Sequence, residues 1–264
     1  VYEYGGAGKT KTSWWISTLP ELLINVQAKG YMNKDSIKLS SIGKQGILKN
    51  FTNVVMEFLF LFGSAGTLFW VRGWMFVCYR FSYQIFYISV LMILNPQLLN
   101  ERGKFNLKET KRYDRYFVIS YFILGPSMLI IAGFDHRFQW SSIPFIAIYP
   151  SIVILILTSC LALWAILSNS HFILTTRNDT LDIQQVCTTG PYKYIRHPGY
   201  FSMILQWFSY PFILGSVFSL IPAFIYIAFI FLRTYYEDQT LKKELKGYEE
   251  YVHTTKYRLF PFIW

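Results

Sequence analysis

The stretch 198–232 runs for 35 residues without a single Asp, Glu, Lys or Arg. As one straight helix it would reach about 50 Å against a bilayer hydrocarbon core of about 30 Å, too long for one simple crossing. Pro211, Gly215 and Pro222 fall near its middle. Proline removes a backbone donor and glycine relaxes the chain, so the stretch is expected to fold as a hairpin of two helices turning near residues 212–219. Apolar runs at 54–70, 81–99, 116–134 and 143–167 precede it, each able to span a bilayer. Unpaired backbone groups cannot face lipid, and these runs exceed the length of barrel strands. The expected fold is therefore an all-α polytopic membrane protein, about four transmembrane helices followed by a helical hairpin.

Composition agrees: 53% of the chain is hydrophobic, 20% aromatic and only 15% charged, where a soluble domain carries about 25% charged residues. A net charge of +10 on so apolar a chain fits basic loops flanking membrane spans, not a nucleic-acid binder, whose basic residues need a soluble scaffold. Cys78, Cys160 and Cys187 are too far apart for a metal-ligand spacing and read as small buried side chains or free thiols. Residues 1–53 are polar and lack a sustained apolar period, which marks an amino-terminal extension with one amphipathic stretch at 14–26. The chain opens on Val1, as a trimmed or incomplete chain would, and no cleavable signal is visible. The string from Gly5 to Thr10 imitates a phosphate-binding loop, but Glu3 stands where that motif requires Gly and no strand precedes it. The membrane domain is expected over 54–264, with its chemistry in 168–264.

Loop charges orient the spans. Seven Lys precede the first run, and six Lys and Arg lie between the second and third, whereas the alternate loops hold only Arg72, Arg80 and Arg137. The positive-inside rule puts the amino terminus, the loop 102–115, the segment 168–196 and the tail from Arg233 in the cytoplasm. A terminal hairpin makes this parity work; a single crossing would strand the basic tail on the wrong face.

Two unusual segments then meet on the cytoplasmic side. One runs from Gln184 through Gly190-Pro191-Tyr192 to Arg196-His197-Pro198-Gly199-Tyr200, and the other holds Arg233, Glu237 and Asp238, followed by Tyr257-Arg258-Leu259-Phe260-Pro261. Gly190-Pro191 makes a turn that delivers Tyr192 inward, and Pro198 sits at a helix start, where its missing donor costs nothing. Arg233 and Glu237, four apart, share one helical face at the end of the hairpin. Taken alone, that pair reads more simply as an anchor and its partner: Arg196 and Arg233 as interfacial cations, with Glu237 as the partner of Arg233. Both segments together favour a cavity-lining site.

Together the segments resemble the isoprenylcysteine carboxyl methyltransferase family, in its bacterial branch, whose hallmarks are a GxY-xxx-RHPxY segment, an Arg four residues before a paired acid, and a closing Tyr and Pro-rich tail. Gln184 stands where members usually have His, and Asp238 replaces the second Glu. The resemblance implies a cytoplasm-facing site where S-adenosylmethionine donates a methyl group to a lipophilic or prenylated acceptor entering from the membrane lipid. Carried over by position, it implies that Gln184, Val186, Cys187, Gly190, Tyr192, His197, Pro198 and Tyr200 hold the cofactor, that Glu237 binds its amino group, and that Arg233 orients the acceptor. A carboxylate acceptor needs no base, and Arg grips a planar carboxylate at two points. An amine or thiol acceptor, as in a phospholipid N- or thiol S-methyltransferase, would need deprotonation, with His197 as the nearby base. A sterol-reductase-like protein using a nicotinamide cofactor, and a membrane scaffold binding lipid headgroups, are the other classes compatible with such a tail.

Outside these segments the sequence offers less. Asp135 and His136 read as turn-capping residues, Glu57 as interfacial, and Pro126, Pro144 and Pro150 as helix kinks. His171 and His253 have no ligand-spaced partner.

Overall fold

The computed structural model describes residues 39–104, 110–169 and 185–264, and all regular structure among them is helical. Gln184, the loop 177–183, the amphipathic stretch 14–26 and the string at 5–10 lie outside the described residues.

Helix α1, Ser41–Ala65, starts where the Ser40 hydroxyl accepts the Gly43 N–H at 3.1 Å and stops at Gly66. Helix α2, Val71–Leu94, passes at Asn95 into the short α3, Pro96–Gly103, which the Asn95 side chain caps through the Leu98 N–H at 3.1 Å. Helix α4, Arg112–Phe138, carries Pro126 inside it. A 3-10 turn, Phe145–Ala147, with Pro144 at its cap, leads into α5, Ile148–Ser168, so Pro144 and Pro150 sit at a helix entry where proline is tolerated and do not kink a helix interior. Helices α6, Pro198–Leu214, and α7, Leu220–Glu244, form the expected hairpin, and the chain closes with α8, Tyr248–Thr254. The hairpin turns at Gly215, whose φ of +82° ends α6 and whose N–H returns to the Pro211 carbonyl at 2.8 Å.

Among the described residues, four stretches are long and apolar enough to cross a membrane: Val71–Leu94, Arg112–Phe138, Phe145–Ser168 and Leu220–Glu244. At 17 residues α6 reaches about 26 Å. The protein is thus a multi-pass, all-α membrane protein. Its first two spans differ from the apolar runs, however. The helix break falls at 66–70, inside the first run, and α2 begins ten residues before the second run. Arg72 and Arg80, assigned to a loop by charge, therefore lie within a span. Each is matched there: Arg72 donates to the Ile143 carbonyl at 2.6 Å and the Phe212 carbonyl at 3.1 Å, while Arg80 grips Glu57 with two bonds of 2.7 and 2.8 Å. Glu57 lies eight residues before the end of α1, about 12 Å deep, and is an internal ion-pair partner where the sequence suggested an interfacial residue. Cys78 and Cys160 are exposed free thiols, the second of the two readings open to them.

The core is assembled from the inner faces of these spans, with Leu61, Phe76, Ala132, Leu155, Ile213 and Tyr226 among its buried members. Helix α4 crosses α1 at Gly133, where a Cβ would stand 2.6 Å from the Leu61 carbonyl oxygen. Only a glycine lets the two backbones approach that closely, as small residues do at membrane helix crossings.

The two ends of the bundle carry different polar chemistry. At the far end the Asp135 carboxylate accepts the Ser141 N–H at 2.6 Å and the Ser216 hydroxyl, and Ile143 donates to the Gly215 carbonyl at 3.2 Å. This is the turn-capping role expected of Asp135; His136 instead stacks on Trp70 with centroids 4.5 Å apart. At the opposite end Ser40 donates to Asn100 at 2.9 Å, Lys111 pairs with Glu244, and the segment before α6 joins the tail. Segments assigned to the cytoplasm by charge therefore share one end. Single cysteines replacing Phe69 and Lys104, in a background lacking the native thiols, should label with an impermeant maleimide from opposite sides of a sealed vesicle. Labelling from one side would refute this helix count.

Candidate active site

The segment preceding α6 is shaped by its backbone. Gly190, at φ +61°, sits so close to Ser168 that any side chain would collide with it, and Pro191 then starts a 3-10 turn, Gly190–Lys193, that buries Tyr192. The Tyr192 carbonyl accepts the Tyr251 hydroxyl at 2.7 Å and that of Thr255 at 3.3 Å. Further on, the N–H groups of Arg196 and His197 donate to the carbonyls of Tyr257 and Arg258, each at 2.9 Å. The tail thus straps the Arg-His-Pro sequence in place before Pro198 opens α6, and both side chains end up buried.

Asp238 is the electrostatic centre. Fully buried on α7, it accepts the Tyr248 hydroxyl at 3.0 Å and Arg258 Nε at 2.9 Å. Arg196 Nε lies 3.3 Å from it, His197 Nε2 3.6 Å and Lys242 Nζ 3.7 Å. Burial pushes the phenols of Tyr192, Tyr248 and Tyr251 well above their ordinary value, and Asp238 adds to this at Tyr248, so all are protonated donors.

One turn away on α7, Arg233 is held between two rings, its guanidinium carbon 4.2 Å from the Phe117 centroid and 4.9 Å from that of Tyr200. Its Nε donates to Asp114 of α4 at 2.8 Å and lies 3.8 Å from Glu237, confirming the shared face of the Arg233 and Glu237 pair. Glu237 in turn accepts the Tyr200 hydroxyl.

These groups surround a cleft, open to solvent, between the end of α5, the segment 185–200, α7 and α8. Of the residues singled out from the sequence, Val186, Cys187, Tyr192, His197, Tyr200 and Glu237 line it. Gly190 and Pro198 shape its wall without lining it. Gln184 is outside the described residues, and its neighbour Gln185 lines the cleft. Arg233 is not among the residues lining this cleft; Asp114 and the rings of Phe117 and Tyr200 hold its guanidinium beside it.

Sequence reasoning read Arg196 only as an interfacial anchor or a member of a cavity-lining segment, gave no role to Tyr248 or Tyr251, although all three line the cleft, and missed Asp114 altogether. The spacing of Tyr248 and Tyr251, three apart after Gly247, was a readable signal for one inward helical face. Asp114 had none, being 119 residues from its partner.

The cleft offers a ligand one carboxylate at Glu237, aromatic walls and, among the described residues, buried nitrogens without a hydrogen-bond partner at Arg196 Nε and Nη1 and at His197 Nε2. These features suit a zwitterionic, partly aromatic ligand.

Residues 151–243 match the family described as the isoprenylcysteine carboxyl methyltransferase (ICMT) family. No curated protein matches the chain. The matched stretch runs from the first turn of α5 through the Arg-His-Pro segment to the last turn of α7, and leaves Asp114, α8 and the tail outside it. Over that stretch, this multi-pass helical chain is similar to the isoprenylcysteine carboxyl methyltransferase family.

Proposed function

We propose that the cleft binds S-adenosylmethionine at the cytoplasmic face of the membrane and that the protein methylates the carboxylate of a lipophilic, isoprenylcysteine-type acceptor. The observation that carries this reading is the placement of Glu237, His197 and Tyr200 around one cleft at the end of the charge-free hairpin, where a soluble cofactor and a lipid-borne acceptor can meet. Val186, Cys187 and Tyr192 form the wall against which the cofactor would lie, with Glu237 beside its ammonium group. When bound, the cofactor supplies an activated methyl group on a good leaving group. What remains for the protein is to orient the acceptor, exclude water and hold charge in place. Tyr200 and Arg233 fix the Glu237 carboxylate, Tyr192 and Tyr251 brace the turn, and the tail strap keeps His197 against Asp238.

Calorimetric titration of the detergent-solubilised protein with S-adenosylhomocysteine and, separately, a reduced nicotinamide cofactor tests the cofactor. Binding of the first alone supports the reading; binding of the second alone would make the protein a reductase. Methyl transfer to a prenylated cysteine, compared with phosphatidylethanolamine and a simple thiol, tests the acceptor. Glu237→Gln should weaken S-adenosylhomocysteine binding about tenfold to a hundredfold through loss of a charge-assisted contact. Unchanged affinity would reduce Glu237 to a partner of Arg233 and Tyr200.

A further inference from the structure

The charges at this site do not balance evenly. Arg233 has Asp114 at 2.8 Å and Glu237 at 3.8 Å, so its positive charge is met by two carboxylates. Asp238 has the opposite situation: Arg196, Arg258 and Lys242 all lie within 4 Å of this one anion. Its oxygens are already used, Oδ1 by the Tyr248 hydroxyl and Oδ2 by Arg258 Nε. Arg196 is the residue left short. Its side chain is only 4% exposed and lines the cleft, yet among the described residues Nε and Nη1 have no hydrogen-bond partner; the 3.3 Å approach of Nε to Asp238 is a charge contact without hydrogen-bond geometry.

A buried guanidinium with unused donors is costly, and the cost is removed when a ligand brings acceptor oxygens. The planar fork matches a carboxylate at two points. We propose that Arg196, and not Arg233, is the carboxylate-binding cation of this site. The inference rests on the methyltransferase reading above, which supplies two possible carboxylates: that of the cofactor's amino-acid group and that of the acceptor. Glu237 lies in the same cleft, so an amino acid has an anion for its ammonium and a cation for its carboxylate. The charge-paired position of Arg233 also explains why it need not do this work.

The test uses the full chain in detergent and two variants, Arg196→Gln and the charge-conserving Arg196→Lys, which keeps a cation beside Asp238. Affinities are measured for S-adenosylhomocysteine and for its decarboxylated analogue, and KM is measured for a prenylated-cysteine acceptor at saturating cofactor. If Arg196 holds the cofactor's carboxylate, both variants lose about tenfold to a hundredfold in S-adenosylhomocysteine affinity but bind the decarboxylated analogue as the parent does. If it holds the acceptor's carboxylate, S-adenosylhomocysteine affinity is unchanged and the acceptor KM rises by a similar factor. Either result supports the proposal. Unchanged affinities and KM overturn it, and so does equal weakening of both cofactor analogues, which would assign Arg196 to the shape of the cleft. A parent protein that binds no S-adenosylhomocysteine overturns the methyltransferase reading itself, a result separate from equality of parent and variants.

Discussion

Asp238→Asn is expected to lower the stability of the protein by about 3–5 kcal/mol, because removing one member of a buried charge cluster leaves its partners uncompensated. The cluster makes this the most damaging conservative change in the site. An amide keeps the volume and can still accept the Tyr248 hydroxyl, but Arg196, Arg258 and Lys242 would then face each other without an anion. Arg258 also belongs to the tail that straps Arg196 and His197, so losing its anchor should loosen the cleft wall as well. Thermal unfolding in detergent should show a clearly lowered midpoint, and calorimetry should show S-adenosylhomocysteine binding weakened more than in Glu237→Gln. An Asn variant with the parent's midpoint would mean that water, not Asp238, neutralises these cations.

Asp114→Leu should be nearly as harmful alone and much less so in company. The single change leaves the 5%-exposed Arg233 without the carboxylate that its Nε contacts, again a loss of about 3–5 kcal/mol. Combining it with Arg233→Met removes both charges and keeps apolar bulk between Phe117 and Tyr200, so much of the lost stability should return. Ligand binding should not return with it, since Glu237 loses the cation beside it. A double-mutant cycle measured both by thermal unfolding and by S-adenosylhomocysteine titration separates the two effects. Additive losses of stability would show that Asp114 and Arg233 do not act as a pair.

Several parts of this architecture could be read directly from the chain. The hairpin follows from arithmetic, since 35 uncharged residues exceed one crossing and Gly215 offers the turn. Pro198 opens α6 where a proline is tolerated, and Gly190-Pro191 buries Tyr192 through a turn specified by those two residues. Each of these depends on a few neighbouring residues or on the total apolar length.

The break between α1 and α2 was misplaced for the complementary reason. Leu68, Phe69 and Trp70 continue the apolar run through the turn, and hydropathy does not register a helix end that leaves composition unchanged. The same error moved Arg72 and Arg80 into a loop. Their burial is acceptable only because Glu57, Ile143 and Phe212 arrive from distant parts of the chain.

The sequence by itself determined that this chain crosses a membrane as helices, ends in a hairpin, and brings an Arg-His-Pro segment and an Arg and Glu pair to one side. Those properties are set by desolvation along continuous stretches and by short-range backbone geometry. Only the tertiary structure decided which buried charge is satisfied: the cation Arg233 by Asp114 from α4, the anion Asp238 by four basic groups from two segments and a tail, and the cation Arg196 by none in full. Charge compensation in a low-dielectric interior depends on which distant groups come within about 4 Å, where the interaction outweighs any local preference, and that distance exists only once the helices have packed.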